Sequence, residues 1–140
     1  MNSRGSAGIT QGLDHLGLAV NDLQKTRDFF VDVLGWRESG FDPGYPRTAV
    51  TDGTVRLTLW QVDHSQQVEG FDRRSNIGLH HLALSVATET ELLEICARMK
   101  HNDIDIEFEP EPVGEGPRKH MMVYEPGGIR IEFIWSGYSN

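Results

Sequence analysis

The chain predicts an α+β fold built from two tandem strand-helix-three-strand (βαβββ) modules. Two internal repeats and one change of spacing carry that prediction. Leu79 to Val86 (LHHLALSV) is nearly a copy of Leu13 to Val20 (LDHLGLAV), 66 residues upstream. Asp52 to Leu59 (DGTVRLTL) likewise matches Pro126 to Phe133 (PGGIRIEF), each a turn leading into an apolar strand with an arginine in the same place. That second offset is 74, so the later copy has gained about eight residues between its helix and its last strand. A repeat at fixed spacing is the mark of a duplicated supersecondary unit. A module of about sixty residues buries too little surface to be secure alone, so the copies are halves of one domain. We divide the chain into an N-terminal arm (1–12), one domain (13–135) and a C-terminal tail (136–140). Within the domain, module one is 13–63, a linker is 64–76 and module two is 77–135.

The elements follow in order. Leu13 to Val20 alternates as a strand, and Asn21 or Asp22 caps the helix behind it. Leu23, Phe30, Val33 and Leu34 share one face of that helix, and Gly35 ends it as a C′ residue does. Trp36 to Gly40 is strand two. Thr48 to Thr51 and Thr54 to Gln61 are strands three and four across an Asp52-Gly53 hairpin turn. His64 to Asn76 is polar and aperiodic. After strand five, Thr88 with Glu91 forms a capping box, and Leu92, Ile95 and Met99 supply the buried face of a helix ending near Asn102. Ile104 to Glu109 is strand six. The loop from Glu109 to Pro117, rich in Gly and Pro, has no counterpart in module one; such loops are either lids or plain surface. Lys119 to Tyr124 and Ile129 to Trp135, joined by Pro126-Gly127-Gly128, close the domain.

Composition bounds the function. Apolar residues make up 38% of the chain, enough for a core. No run approaches the roughly 18–20 apolar residues of a membrane span. A net charge of −8 argues against nucleic acid, whose backbone demands basic clusters. The single cysteine, Cys96, reads as a small buried core residue. A cytoplasmic, reducing compartment fits, and the polar opening residues lack the pattern of a secretory signal.

If the two modules pack about a pseudo-twofold axis, His15 faces His81 and Thr58 faces Glu132. Strand alternation turns His80 away from His81. Two imidazoles and one carboxylate, with positions left open, are the facial arrangement of a catalytic metal site. Two readings stand for His120: an acid–base group looking into the same space, or a surface residue beside Arg118 and Lys119. Met122 and Trp60 either line a pocket or belong to the core, and Arg47 and Arg118 are candidate anion clamps.

This layout, with His15 and His81 at strands one and five and Glu132 on the last strand, resembles the vicinal oxygen chelate superfamily. The group includes glyoxalase I, extradiol dioxygenases, fosfomycin-resistance enzymes and bleomycin-binding proteins. The resemblance runs from Leu13 to Trp135 and is most specific at GLHHLALSV (78–86) and EPGGIRIE (125–132). It implies a half-open eight-stranded barrel holding a divalent ion (Zn, Fe, Mn, Ni or Co) on His15, His81 and Glu132. It also implies a small oxygen-bearing substrate and a homodimer, some members building each site from two chains. Thr58 falls where glyoxalase I has a carboxylate. A threonine hydroxyl is a poor ligand for such an ion and no general base. The dioxygenases place a catalytic tyrosine two residues before Tyr124, where this chain has Met122; Tyr124 shares that inward face. The functions implied are a lyase or isomerase of the glyoxalase kind, an extradiol-type dioxygenase, or a non-catalytic binding protein of the bleomycin-sequestering kind.

Overall fold

Each repeat folds as its own four-stranded mixed sheet. A computed structural model describes residues 8–138; the first seven residues of the expected arm and the last two of the tail lie outside them. Module one comprises β1 (Leu16–Val20), α1 (Leu23–Asp28, continued as a π-helix over Phe29–Val33), β2 (Arg37–Asp42), β3 (Arg47–Thr51) and β4 (Arg56–Gln61). Module two comprises β5 (Leu82–Val86), α2 (Glu89–His101), β6 (Asp105–Pro112), β7 (Lys119–Tyr124) and β8 (Arg130–Trp135). The sheet orders are β1-β4-β3-β2 and β5-β8-β7-β6, and neither closes into a barrel. The outer strand runs parallel to the last one in both. Gly17 lies opposite Thr58 and Ala83 opposite Glu132. Each of those partners stands two residues after its histidine, so the repeat holds in register as well as in sequence.

Local chemistry accounts for the helices. Asp22 caps α1, its side chain accepting from the Lys25 N–H at 3.1 Å. Thr88 caps α2 by accepting from Glu91 N at the same distance. Glu89 and Glu91 sit in the first turn of α2 and Arg98, Lys100 and His101 in the last, complementing the helix dipole. The π-helical turn adds a residue per turn, so the consecutive Phe29 and Phe30 both point inward and are buried. The simple helical period identified Phe30 but not Phe29. Trp36 belongs to the core rather than to a strand, packing on Phe30 at 4.9 Å.

The eight added residues lengthen a hairpin. β6 runs to Pro112, with Glu111 opposite His120 and Pro112 opposite Lys119. This corrects the expected end at Glu109 and confines the irregular loop to 113–118. Register shifts on either side of Phe108 absorb the irregularity. An edge strand also tolerates a proline whose missing N–H would face solvent.

One core joins the modules. Leu18, Val20, Phe30, Leu57 and Leu59 cluster with Leu84, Leu92, Met99, Ile131 and Phe133. Leu57 and Leu59 flank Thr58, and Ile131 and Phe133 flank Glu132. By strand alternation, Thr58 and Glu132 therefore lie on the faces opposite this shared core. Two polar contacts reinforce the joint. Arg98 Nη1 donates to the Val33 carbonyl at 3.2 Å, and the buried Thr26 hydroxyl donates to the buried Glu125 carboxylate. Glu125 also accepts from Ile129 N at 3.0 Å, and burial pushes its carboxyl pKa up. A Cβ at Gly127 would crowd this contact, standing 2.9 Å from Glu125 Oε2 and 3.2 Å from Thr26 Oγ1. No helix among the described residues is long and apolar enough to cross a membrane.

Candidate metal centre

Glu132 is the hub of the polar groups on the open face of module two. Its Oε1 lies 3.2 Å from His81 Nε2, and its Oε2 lies 2.5 Å from His120 Nδ1. Glu132 is only 8% exposed, so its charge requires a compensating partner. His120 comes from β7 and packs against Phe108, with ring centroids 4.8 Å apart. It thus faces the open side of the sheet, with the buried Met122 directly opposite Glu132.

His81 directly precedes β5, and that position corrects one expectation. Alternation begins only at Leu82 and does not govern the two histidines before it. The rings of His80 and His81 meet, their Nδ1 atoms 2.8 Å apart. His80 Nδ1 also lies 3.5 Å from Arg130 Nη1. Arg130 grips Glu107 through Nε and Nη2, both at 2.9 Å. Tyr124 donates its hydroxyl proton to Glu107 at 2.7 Å and accepts from Arg73, in the linker, at 2.7 Å. Tyr124 is therefore engaged in this network. Arg73, Glu107 and Arg130 were not singled out in the sequence; the arginine shared by both turn-strand repeats was the available signal, and only the copy at 130 is buried.

The Arg130 fork holds the Glu107 carboxyl down from 4.5 to about 2. A depressed carboxyl contributes stability that is complete above its unfolded pKa and lost as pH falls through the folded one. Equilibrium denaturation should accordingly show an acid loss between about pH 4.5 and about pH 2 that Glu107→Gln flattens.

Module one carries a second cluster. Thr58, 4% exposed, accepts from Trp60 Nε1 at 2.9 Å. A side chain at Gly17 would press on it, a Cβ standing 3.2 Å from Thr58 Oγ1. Tyr45 meets the Trp60 ring edge-on at 4.7 Å, and the Arg47 guanidinium lies 5.4 Å from the same ring. Arg47 has no carboxylate partner among the described residues. Tyr45, Trp60, Gln61, Val62 and His64 border an open cavity of about 840 Å³.

His15 stands apart. It is 46% exposed and pairs with its neighbour Asp14 at 2.7 Å. Among the described residues, no three His, Cys, Asp or Glu side chains are grouped to hold a metal ion. The expected meeting of His15 with His81 inside one chain is therefore not found. The cause is the shared core, which joins the modules through the faces opposite Thr58 and Glu132. The structure thus brings together His81, His120 and Glu132, links Tyr124 to them through Glu107, Arg130 and His80, and gathers Thr58, Trp60 and Arg47 separately. Arg118 is exposed at the β6–β7 turn.

A family profile described as the glyoxalase/bleomycin resistance protein/dioxygenase superfamily matches residues 12–133. The chain belongs to this superfamily. It is 29% identical over 125 residues to the lactoylglutathione lyase of Salmonella typhimurium, covering 86% of this chain and 89% of that protein. It is also 29% identical over 126 residues to the metapyrocatechase of Geobacillus stearothermophilus, covering 87% of this chain but 36% of that relative. Among solved structures, a glyoxylase/bleomycin resistance protein/dioxygenase domain from Frankia superposes with a TM-score of 0.78. That pair is 20% identical, over 90% of this chain and 98% of the other. Superfamily membership thus stands on sequence, and the two open sheets with their paired helices agree with it.

Proposed function

We propose that the protein is a metal-dependent enzyme of the glyoxalase/dioxygenase type acting on a small oxygen-bearing metabolite, and that it works as a cytoplasmic homodimer. The observation that carries this reading is the approach of His81 Nε2 to Glu132 Oε1 at 3.2 Å. Nitrogen and oxygen ligands about 2.1 Å from one ion stand roughly 3 Å apart, so the pair would suit a shared divalent cation. One imidazole and one carboxylate are two thirds of a facial site. His15 of a second copy supplies the remaining donor, because the open faces of both modules lie away from the core of their own chain. Zn, Fe, Mn, Ni and Co all suit this donor set.

Such an ion, when bound, supplies Lewis-acid polarisation of a substrate oxygen. The chain's own groups do the rest. His120 holds Glu132 Oε2, which leaves Oε1 turned toward His81. Trp60 and Tyr45 wall the cavity for the organic part of the substrate. Arg47, free of a carboxylate partner, offers a charge to an anionic substituent. Thr58 accepts from Trp60 and so keeps its own proton to donate to a substrate oxygen. It offers no carboxylate, so proton transfer in the manner of a two-carboxylate lyase finds no base at that position.

Elemental analysis of protein purified without added metal should find a stoichiometric divalent ion that His81→Ala removes. Protein free of metal, or His81→Ala with unchanged content, contradicts the proposal. Oxygen consumption with catechols after anaerobic Fe(II) loading separates the dioxygenase chemistry from that of a lyase or isomerase. The aromatic wall of the cavity favours a second reading, a non-catalytic binding protein of the bleomycin-sequestering kind. Stoichiometric ligand binding that survives complete metal chelation would establish it.

A further inference from the structure

We infer that His80 is a positioning residue for His81: it accepts the Nδ1 hydrogen of His81 and so turns the His81 Nε2 lone pair toward Glu132. Hydrogen-bond arithmetic carries the inference. A guanidinium has only N–H groups and accepts nothing. Arg130 is locked on Glu107 through Nε and Nη2, leaving Nη1 to face His80 Nδ1 at 3.5 Å. A hydrogen on His80 Nδ1 would confront that donor, so this nitrogen carries the lone pair. The His81 Nδ1 atom 2.8 Å away must then be the one bearing hydrogen. A neutral imidazole has one N–H and one acceptor nitrogen, which leaves His81 Nε2 bare, 3.2 Å from a carboxylate oxygen. Its lone pair then points toward that oxygen, the orientation a shared cation would use.

Imidazole ligands commonly have their second nitrogen hydrogen-bonded to a carboxylate, a backbone carbonyl or water, which fixes the tautomer. Here a neighbouring histidine takes that role, anchored through Arg130, Glu107, Tyr124 and Arg73. The chain of contacts therefore runs from the linker between the modules to the donor face of His81.

Long-range ¹H–¹⁵N correlation spectra test this, with the His81 signals assigned by their loss in His81→Gln. The expected result is a protonated Nδ1 on His81, both in metal-free protein and with zinc bound. In metal-free His80→Phe, the His81 hydrogen should move to Nε2. The effect on metal rests on the proposed function: zinc affinity, measured by chelator competition, should fall roughly 10–100-fold in His80→Phe. His80→Asn, whose side-chain carbonyl can accept, should recover part of both losses. An unprotonated Nδ1 on wild-type His81, or a tautomer unmoved by His80→Phe, overturns the inference. Wild-type protein that binds no zinc refutes the metal reading instead, and the metal-free spectra still decide the role of His80.

Discussion

Glu132→Gln protein is expected to fold, to melt at or above the wild-type temperature when metal-free, and to lose its divalent ion. The substitution keeps the shape of the side chain and an oxygen for His120. It removes the charge that a cation beside His81 requires. Changing only the hydrogen-bond partner of a ligand costs about 10–100-fold in metal affinity, so removing the charge of a ligand should cost at least about 100-fold. Stability should move the other way, because a carboxylate charge on a residue only 8% exposed is costly to bury. Functional groups of this kind are where stability is given up for activity. Chelator competition and thermal denaturation, run together, check both halves. A Glu132→Gln protein that melts far below wild type and keeps its metal would make Glu132 a structural residue.

The largest expected loss of stability belongs to Glu125→Ala. Glu125 joins the modules by accepting the Thr26 hydroxyl and the Ile129 N–H. Truncation strands both donors, at about 1–3 kcal/mol for each buried group left unsatisfied. A combined loss of about 2–6 kcal/mol corresponds to a fall in Tm of roughly 5–20 °C for a domain of this size. Glu125→Gln, which keeps an acceptor, should lose much less. The pH dependence follows from burial, which raises the Glu125 carboxyl above its ordinary value. The folded state then binds the proton more tightly than the unfolded chain. Stability therefore falls as pH rises from the ordinary carboxylate range through the folded pKa, the opposite sign to Glu107. Denaturant titrations across that window should show the decline in wild type and its absence in Glu125→Gln. Equal midpoints for wild type and Glu125→Ala would show that the contact contributes nothing.

Much of the architecture was legible because it is local or repeated. Both helix caps, the Asp52-Gly53 turn and β7 follow from residues within a few positions of each other. The doubled motif placed Thr58 and Glu132 in equivalent registers. What escaped depends on a break in periodicity or on distance. A π-helical turn brought Phe29 inward, against a simple helical period. His80 and His81 stand before the first residue of β5, where alternation has no hold. The prolines at 110 and 112 suggested a loop, whereas an edge strand accommodates them. Thr26 and Glu125 meet across 99 residues with no repeat to pair them. The separation of His15 from His81 within one chain has a related cause. Duplication reveals which positions are equivalent, but not which face of each module its neighbour covers.

The proposed metal centre joins Glu132 and His81 of one chain to His15 of another. Co-expression of His15→Ala chains with Glu132→Ala chains, followed by isolation of the mixed dimer through two affinity tags, tests it directly. Each chain alone should be metal-free. If the site spans two chains, the mixed dimer has one site carrying both lesions and one carrying neither, so it should bind one divalent ion. A mixed dimer that binds none, while wild-type dimer binds two, would contradict the shared site.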